Sequence, residues 1–191
     1  MPAALHYGMA AMSTPLRIAV VCPLPWPPSG DVTWRIAHEA ETLAARGHSV
    51  TVLASGRSPE QLAEGRAALE RAAEGDVEAV LAAPGTVRVL VVGRAIKATA
   101  RRQVVGPLDL ASGVERALAG DAFDIVHLHE PLTPVPLMAS LRHTGARAVV
   151  TFHRVDPPTP VALFGPLAER SLDRADARVA VSPRIARTLT E

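Results

Sequence analysis

Short apolar runs rich in β-branched residues alternate with helix-patterned segments along nearly the whole chain. This alternation constrains the fold more than any other feature. Strands separated by helices pair in parallel through right-handed crossovers, which cover both faces of the sheet. The fold class expected is therefore α/β, a doubly wound, mostly parallel sheet flanked by helices.

The reading begins with a buried strand over residues 16–21, LRIAVV, which runs into a Pro/Gly loop. Val32, Ile36, Ala40 and Leu43 then recur at helical spacing, with Arg35, Glu39 and Arg46 elsewhere on the wheel and Gly47 as the stop. Residues 49–54 form a second strand, and 59–74 an alanine-rich surface helix with a weak stripe at Leu62 and Leu69. A short extra strand is expected over 77–81 and a clearer one over 86–92. Residues 93–107 show no period and read as a loop, followed by a helix over 109–118 that ends at Gly120. Strands over 124–128, 146–152 and 178–181 alternate with helices over 136–142 and 159–174, the latter kinked near Gly165-Pro166. Ser182-Pro183 is a cap and first-position pair for a final helix.

Residues 1–15 lack a basic segment followed by a sustained apolar one, and read as a disordered leader, or as an upstream start with Met12 the true one, ahead of one domain over 16–191. Composition narrows the function classes. Twenty Lys and Arg against nineteen Asp and Glu leave a net charge of +1, without the field of a general nucleic-acid binder. Lys97 is the only lysine, a bias of coding composition more than of function. A lone cysteine, Cys22, excludes an internal disulfide framework and fits a reducing cytoplasm. No apolar run is long enough for a spanning helix.

In a parallel sheet, ligands bind beyond the carboxyl ends of the strands, so the chemistry is sought there. After the first strand, Cys22 to Val32 carries four prolines and Gly30 into a helix N-terminus, where unpaired N–H groups attract anions. The loop is neither G-x-G-x-x-G nor a P-loop. Asp31 reads either as the helix N-cap or as a ligand-facing residue. His127 and His129 share a strand face and Glu130 follows them, yet no third ligand is evident, so no metal is assigned. His129 and Glu130 are expected where the strand emerges, facing the cleft. His153 closes an apolar strand at the functional edge, where imidazole can take a proton from a hydroxyl or bind phosphate. Arg154 adds a cation beside it. Arg94, Lys97, Arg101 and Arg102 form a basic loop, read as solvated or as a contact for an anionic acceptor or membrane.

Taken in order, LRIAVVCP, the P-S-G entry to a helix, AETLAARGHSVTVLA, FDIVHLHEP, VVTFH and RVAVS resemble the N-terminal lobe of glycosyltransferase family 4, within the GT-B architecture. The likeness is nearest to the bacterial phosphatidylinositol mannosyltransferases and covers about residues 16–191. It implies a Rossmann-like, acceptor-binding lobe of a retaining hexosyltransferase. The reaction uses no metal and no cofactor beyond a nucleotide-sugar co-substrate such as GDP-mannose. The acceptor is a lipid or glycan, and the setting is cytoplasmic with peripheral contact at the inner membrane face. It further implies that Gly30 and Asp31 lie near the donor diphosphate, that His153 is catalytic, and that Thr33, Glu130 and Arg154 lie near the acceptor. Where that family's turn commonly has two glycines, this chain has Gly30-Asp31, and a carboxylate there repels a diphosphate. The donor-binding C-terminal lobe is expected to be absent, so that the chain alone is inactive and needs such a lobe in cis or in trans. A non-enzymatic binding module, or a half-enzyme assembling with a separate lobe, is the alternative.

Overall fold

A computed structural model of the chain describes residues 14–99, 102–105, 107–130, 144–153 and 173–188. The elements in chain order are β1 (Arg17–Pro25), α1 (Asp31–Ala45), β2 (Ser49–Gly56), α2 (Pro59–Ala73), a 3₁₀ turn (Val77–Val80), β3 (Val87–Thr99), β4 (Arg102–Val105), α3 (Pro107–Leu118), β5 (Ile125–His129), β6 (Arg147–Phe152), β7 (Ala177–Ala180) and α4 (Pro183–Thr188). The sheet order is β4-β3-β2-β1-β5-β6-β7. All neighbours pair in parallel except β3 and β4, which form an antiparallel pair. The chain builds outward from β1 in one direction, then returns to start β5 on β1's other side. The gap between β1 and β5 is thus a topological switch point, where doubly wound sheets bind ligands.

The central strands are apolar on both faces because both faces are covered. Ala19, Val21, Leu53, Leu90, Val126 and Leu128 pack under α2 and α3, against Leu69, Leu110, Val114 and Leu118. Ile18, Val20, Cys22, Val50 and Val52 pack under α1, against Ile36, Ala40 and Ala44. Burial pushes the Cys22 thiol up to about 12, so it behaves as a small core residue rather than a nucleophile. At the opposite edge from the site, Arg17 clips β1 to the start of β5. Its N–H and guanidinium both reach Asp124, at 2.8 Å to Oδ2 and 2.8 Å to Oδ1. Hydrogen bonding from Arg17 holds the Asp124 carboxyl below its ordinary range.

Local signals explain the helix ends. Gly47 at φ +92° closes α1, with its N–H on Ala44 O at 2.8 Å and the His48 N–H on Leu43 O at 3.3 Å. Ser58 caps α2 through the Gln61 N–H, with Pro59 at the first position. Ser182 caps α4 through the Ile185 N–H, as its sequence predicts.

Three expectations are corrected. Residues 77–81 are not a strand. Val77–Val80 form a 3₁₀ turn, whose carbonyls are taken up by Thr51 Oγ1 and Arg88. Residues 93–107 are not a loop, because β3 continues to Thr99 and turns back into β4. Gly93 does not break the strand: a Cβ there would lie 2.8 Å from Leu110 Cα, so glycine is needed for α3 to pack. Asp31 is not the N-cap of α1. Gly30 holds that position and Asp31 is the first helical residue.

The helices expected over 136–142 and 159–174, the leader and Arg154 fall wholly or almost wholly outside the described residues. Among the described residues, no helix is long and apolar enough to cross a membrane.

Candidate functional site

The carboxyl ends of β1, β5 and β6 lie at the same edge of the sheet, on either side of the switch point. The β1 loop is closed by Thr33, which is buried. Its hydroxyl accepts from the Ser29 and Gly30 N–H groups at 3.0 and 3.1 Å and donates to Gly30 O at 2.8 Å. One hydroxyl thereby fixes how the chain enters α1. Gly30 itself is extended, at φ −160° and ψ 168°. A Cβ on Gly30 would meet nothing within 4 Å. Among the described residues, neither backbone conformation nor packing requires glycine here. Asp31 is exposed and lines an open concavity along α1 with Trp34, Arg35, His38 and Glu39.

At the end of β5, Glu130 adopts a left-handed conformation at φ 49°. Such strain concentrates at functional sites in non-glycine residues. The turn places its carboxylate on the His153 N–H at 2.9 Å, while its own N–H donates to Thr151 O at 2.8 Å. Glu130 and His153, singled out separately in the sequence, are therefore joined. His153 is half-buried, and its Nε2 shares a hydrogen bond with His129 Nδ1 at 2.9 Å.

The histidines of β5 differ from expectation. His129 does not face an open cleft: it has no solvent exposure and stands on the α1 side of the sheet, with its ring centroid 4.2 Å from that of His127 and the two planes tilted by 30°. Burial, then the neighbouring His127 and His153, hold the His129 imidazole well below its ordinary value and keep it neutral. His127 Nε2 meets Thr151 Oγ1 at 2.7 Å and its Nδ1 meets Glu39 Oε1 at 2.5 Å. Sequence reasoning missed Glu39 and Thr151. Glu39 sits on a different element, far from His127 along the chain, so no spacing rule connects them. Thr151 is one residue of an apolar strand, although its position on the rung beside His129 follows from the alternation of strand faces.

Gly30 and Asp31 lie at the α1 entry, Thr33 one turn in, and Glu130 and His153 together at the β5–β6 edge. Arg154 lies outside the described residues. Of the basic stretch, Arg94 is exposed on β3 and its N–H donates to Asp109 Oδ2 at 2.6 Å. The same sheet edge thus carries a helix N-terminus, where anions are favoured, and the His153 imidazole.

Residues 32–191 match the profile of Glycosyltransferase Family 4. A phosphatidyl-myo-inositol mannosyltransferase of Propionibacterium freudenreichii subsp. shermanii is 29% identical over 180 residues, covering 90% of this chain and 42% of that protein. A protein of the same name from Mycobacterium leprae is 31% identical over 142 residues, covering 72% of this chain and 32% of its own length. One from Mycobacterium tuberculosis is 28% identical over 142 residues, covering 72% and 31%. The chain spans less than half the length of these relatives.

Proposed function

The chain belongs to Glycosyltransferase Family 4, and on that premise we propose that it is the acceptor-binding lobe of a retaining hexosyltransferase. The donor is a nucleotide sugar, with GDP-mannose favoured by the mannosyltransferases it resembles. The acceptor is a lipid-borne or glycan hydroxyl, with the inositol headgroup named by those relatives as the first candidate. The lobe works in the cytoplasm, in peripheral contact with the membrane that carries such an acceptor.

The observation that carries this reading is the arrangement about the β1–β5 switch point. The helix N-terminus at Gly30, where a Cβ would meet nothing within 4 Å among the described residues, lies on the same sheet edge as the His153–Glu130 pair. In this reading the N–H groups at the start of α1 receive the donor diphosphate, and His153 orients the acceptor hydroxyl beside the transferred sugar. Glu130 holds the His153 backbone. Asp31 adds a negative charge near the diphosphate and disfavours it, so donor binding leans on the cations of the partner lobe. Thr33 shapes the loop that borders the acceptor, and Arg154 supplies a cation to it.

Transfer needs two substrates held in line and a stabilised leaving diphosphate. Both demand a donor-binding lobe, supplied in cis or in trans. The purified 191-residue chain is therefore expected to bind acceptor headgroup without turning over nucleotide sugar. Joined to a family donor lobe it gains transfer, and His153→Ala then lowers kcat by about a hundredfold, the scale expected when a reacting hydroxyl loses its orientation. Turnover by the chain alone, or wild-type rates in His153→Ala, overturns the reading.

A further inference from the structure

We propose that Glu39, His127 and His129 form a binding site for a divalent transition ion of zinc's class, wedged between α1 and β5 behind the acceptor edge. One ligand atom from each residue lies within 4.8 Å of the other two. The two imidazoles come from one strand face and the carboxylate from the helix that covers it. Two imidazoles and one carboxylate with an open position are a ligand set that suits zinc.

The arrangement holds more than three adjacent residues. His129 Nε2 is buried with no hydrogen-bond partner among the described residues. It lies 3.8 Å from Glu39 Oε2, pointing toward the carboxylate that His127 also meets. A plain Glu39–His127 pair accounts for His127 and leaves that nitrogen stranded, at the cost of an unsatisfied buried polar group. A cation between the three accounts for both imidazoles at once.

The other ring nitrogens are already placed as metal-ligating histidines require. A ligating imidazole donates its second N–H to a neighbour, which fixes tautomer and ring orientation. His127 Nε2 has Thr151 Oγ1 at 2.7 Å and His129 Nδ1 has His153 Nε2 at 2.9 Å. Glu39 is the adjustable member: its side chain is one-third exposed and leads to the concavity along α1, which gives the ion an entry path.

Coordination has a consequence for the edge of the sheet. With Nε2 on the ion, His129 carries its proton on Nδ1 and donates it to His153 Nε2. His153 then carries its own proton on Nδ1. The ion acts as a positioning element that fixes the tautomer of His153, at a distance from the reacting atoms. The metal site stands or falls without the transferase reading. Only this last consequence rests on it.

The test uses the purified chain, stripped by chelator and titrated with Zn²⁺ by calorimetry, and separately with Co²⁺ by visible absorption. We expect a single equivalent of each, and the intense cobalt bands of a four-coordinate site. Glu39→Gln changes a partly exposed side chain and is expected to fold as the parent does by circular dichroism. It should weaken Zn²⁺ binding by more than about a hundredfold, beyond the usual effect of losing a supporting residue. Thr151→Val, which removes only the group supporting His127, should weaken it by roughly 10–100-fold. Weak, multiple Zn²⁺ binding with pale cobalt spectra overturns the proposal without recourse to any variant. Unchanged affinity in Glu39→Gln overturns it as well, since the ion then sits on other histidines. Loss of metal binding alongside wild-type acceptor binding supports the metal site and leaves the transferase reading untouched.

Discussion

The two faces of β5 carry opposite chemistry. Val126 and Leu128 are buried in the larger apolar cluster under α2 and α3. On the same strand, His127 and His129 point to the α1 side, where ring nitrogens and a helix carboxylate meet. A strand buried on both faces of a parallel sheet ordinarily has no reason to hold imidazoles. Only the end of the strand that emerges at the switch point departs from that rule. Ile125, further from the edge, packs with the apolar α1 cluster. One face of β5 therefore serves stability and the other serves the site, and the two are separable by mutation.

The widest expected gap lies between neighbours on this strand. Leu128→Ala opens a cavity in the larger core and should cost about 3–4 kcal/mol, within the usual range for such truncations. His129→Leu keeps the volume, removes a buried Nε2 that has no hydrogen-bond partner among the described residues, and leaves half-buried His153 to rearrange. Its cost should stay below about 1 kcal/mol. Urea unfolding of the metal-free chain measures both. Equal losses would erase the distinction between the faces.

A smaller effect is expected where helices touch the sheet backbone on the apolar face. A Cβ on Gly113 would lie 2.0 Å from Val92 O, and one on Gly65 would lie 2.0 Å from Val91 O. Both helices rest directly on β3, so glycine here is a matter of close approach. Gly113→Ala must push α3 off the strand and should cost about 2–3 kcal/mol, or roughly 4–12 °C in Tm for a domain of this size. A shift under about 1 °C in a thermal melt would mean that α3 slides freely, and that the apolar face is less tightly fixed than its glycines imply.

These contrasts mark what a single sequence can and cannot disclose. The strands beginning at Arg17, Ser49, Ile125 and Arg147 are continuous β-branched runs between turn signals, and their order alone implies a parallel sheet. The end of β3 was illegible because its residues lack any period and Gly93 imitates a breaker, whereas it answers to a helix that follows it in the chain. Val77–Val80 alternates like a strand, yet buried Thr51 and half-buried Arg88 bond its carbonyls and hold a 3₁₀ turn. The places of Gly30, Glu130 and His153 on one sheet edge were legible, because β1, β5 and β6 were each read to end just before them. Glu39 was not, since its meaning comes from β5 crossing beneath α1, a tertiary fact with no local signature.

The smallest expected effect on stability falls on the glycine most exposed to function. Gly65 and Gly113 are required by the chain's own packing, whereas a Cβ on Gly30 would meet nothing within 4 Å among the described residues, and its extended backbone is one that any residue adopts. Gly30→Ala loses a little as an N-cap and gains a little by restricting the unfolded chain, so the two terms nearly offset. The net change should lie within about 0.5 kcal/mol, readable as a nearly superimposable unfolding curve. Joined to a donor lobe, the same substitution puts a methyl group against the approaching diphosphate and should raise KM for the nucleotide sugar while leaving acceptor binding alone. Unchanged donor KM would return Gly30 to a plain capping role. A clear loss of stability would instead mean that α1 depends on glycine at its entry, and the contrast between a glycine kept for packing and a glycine kept for a ligand would not hold.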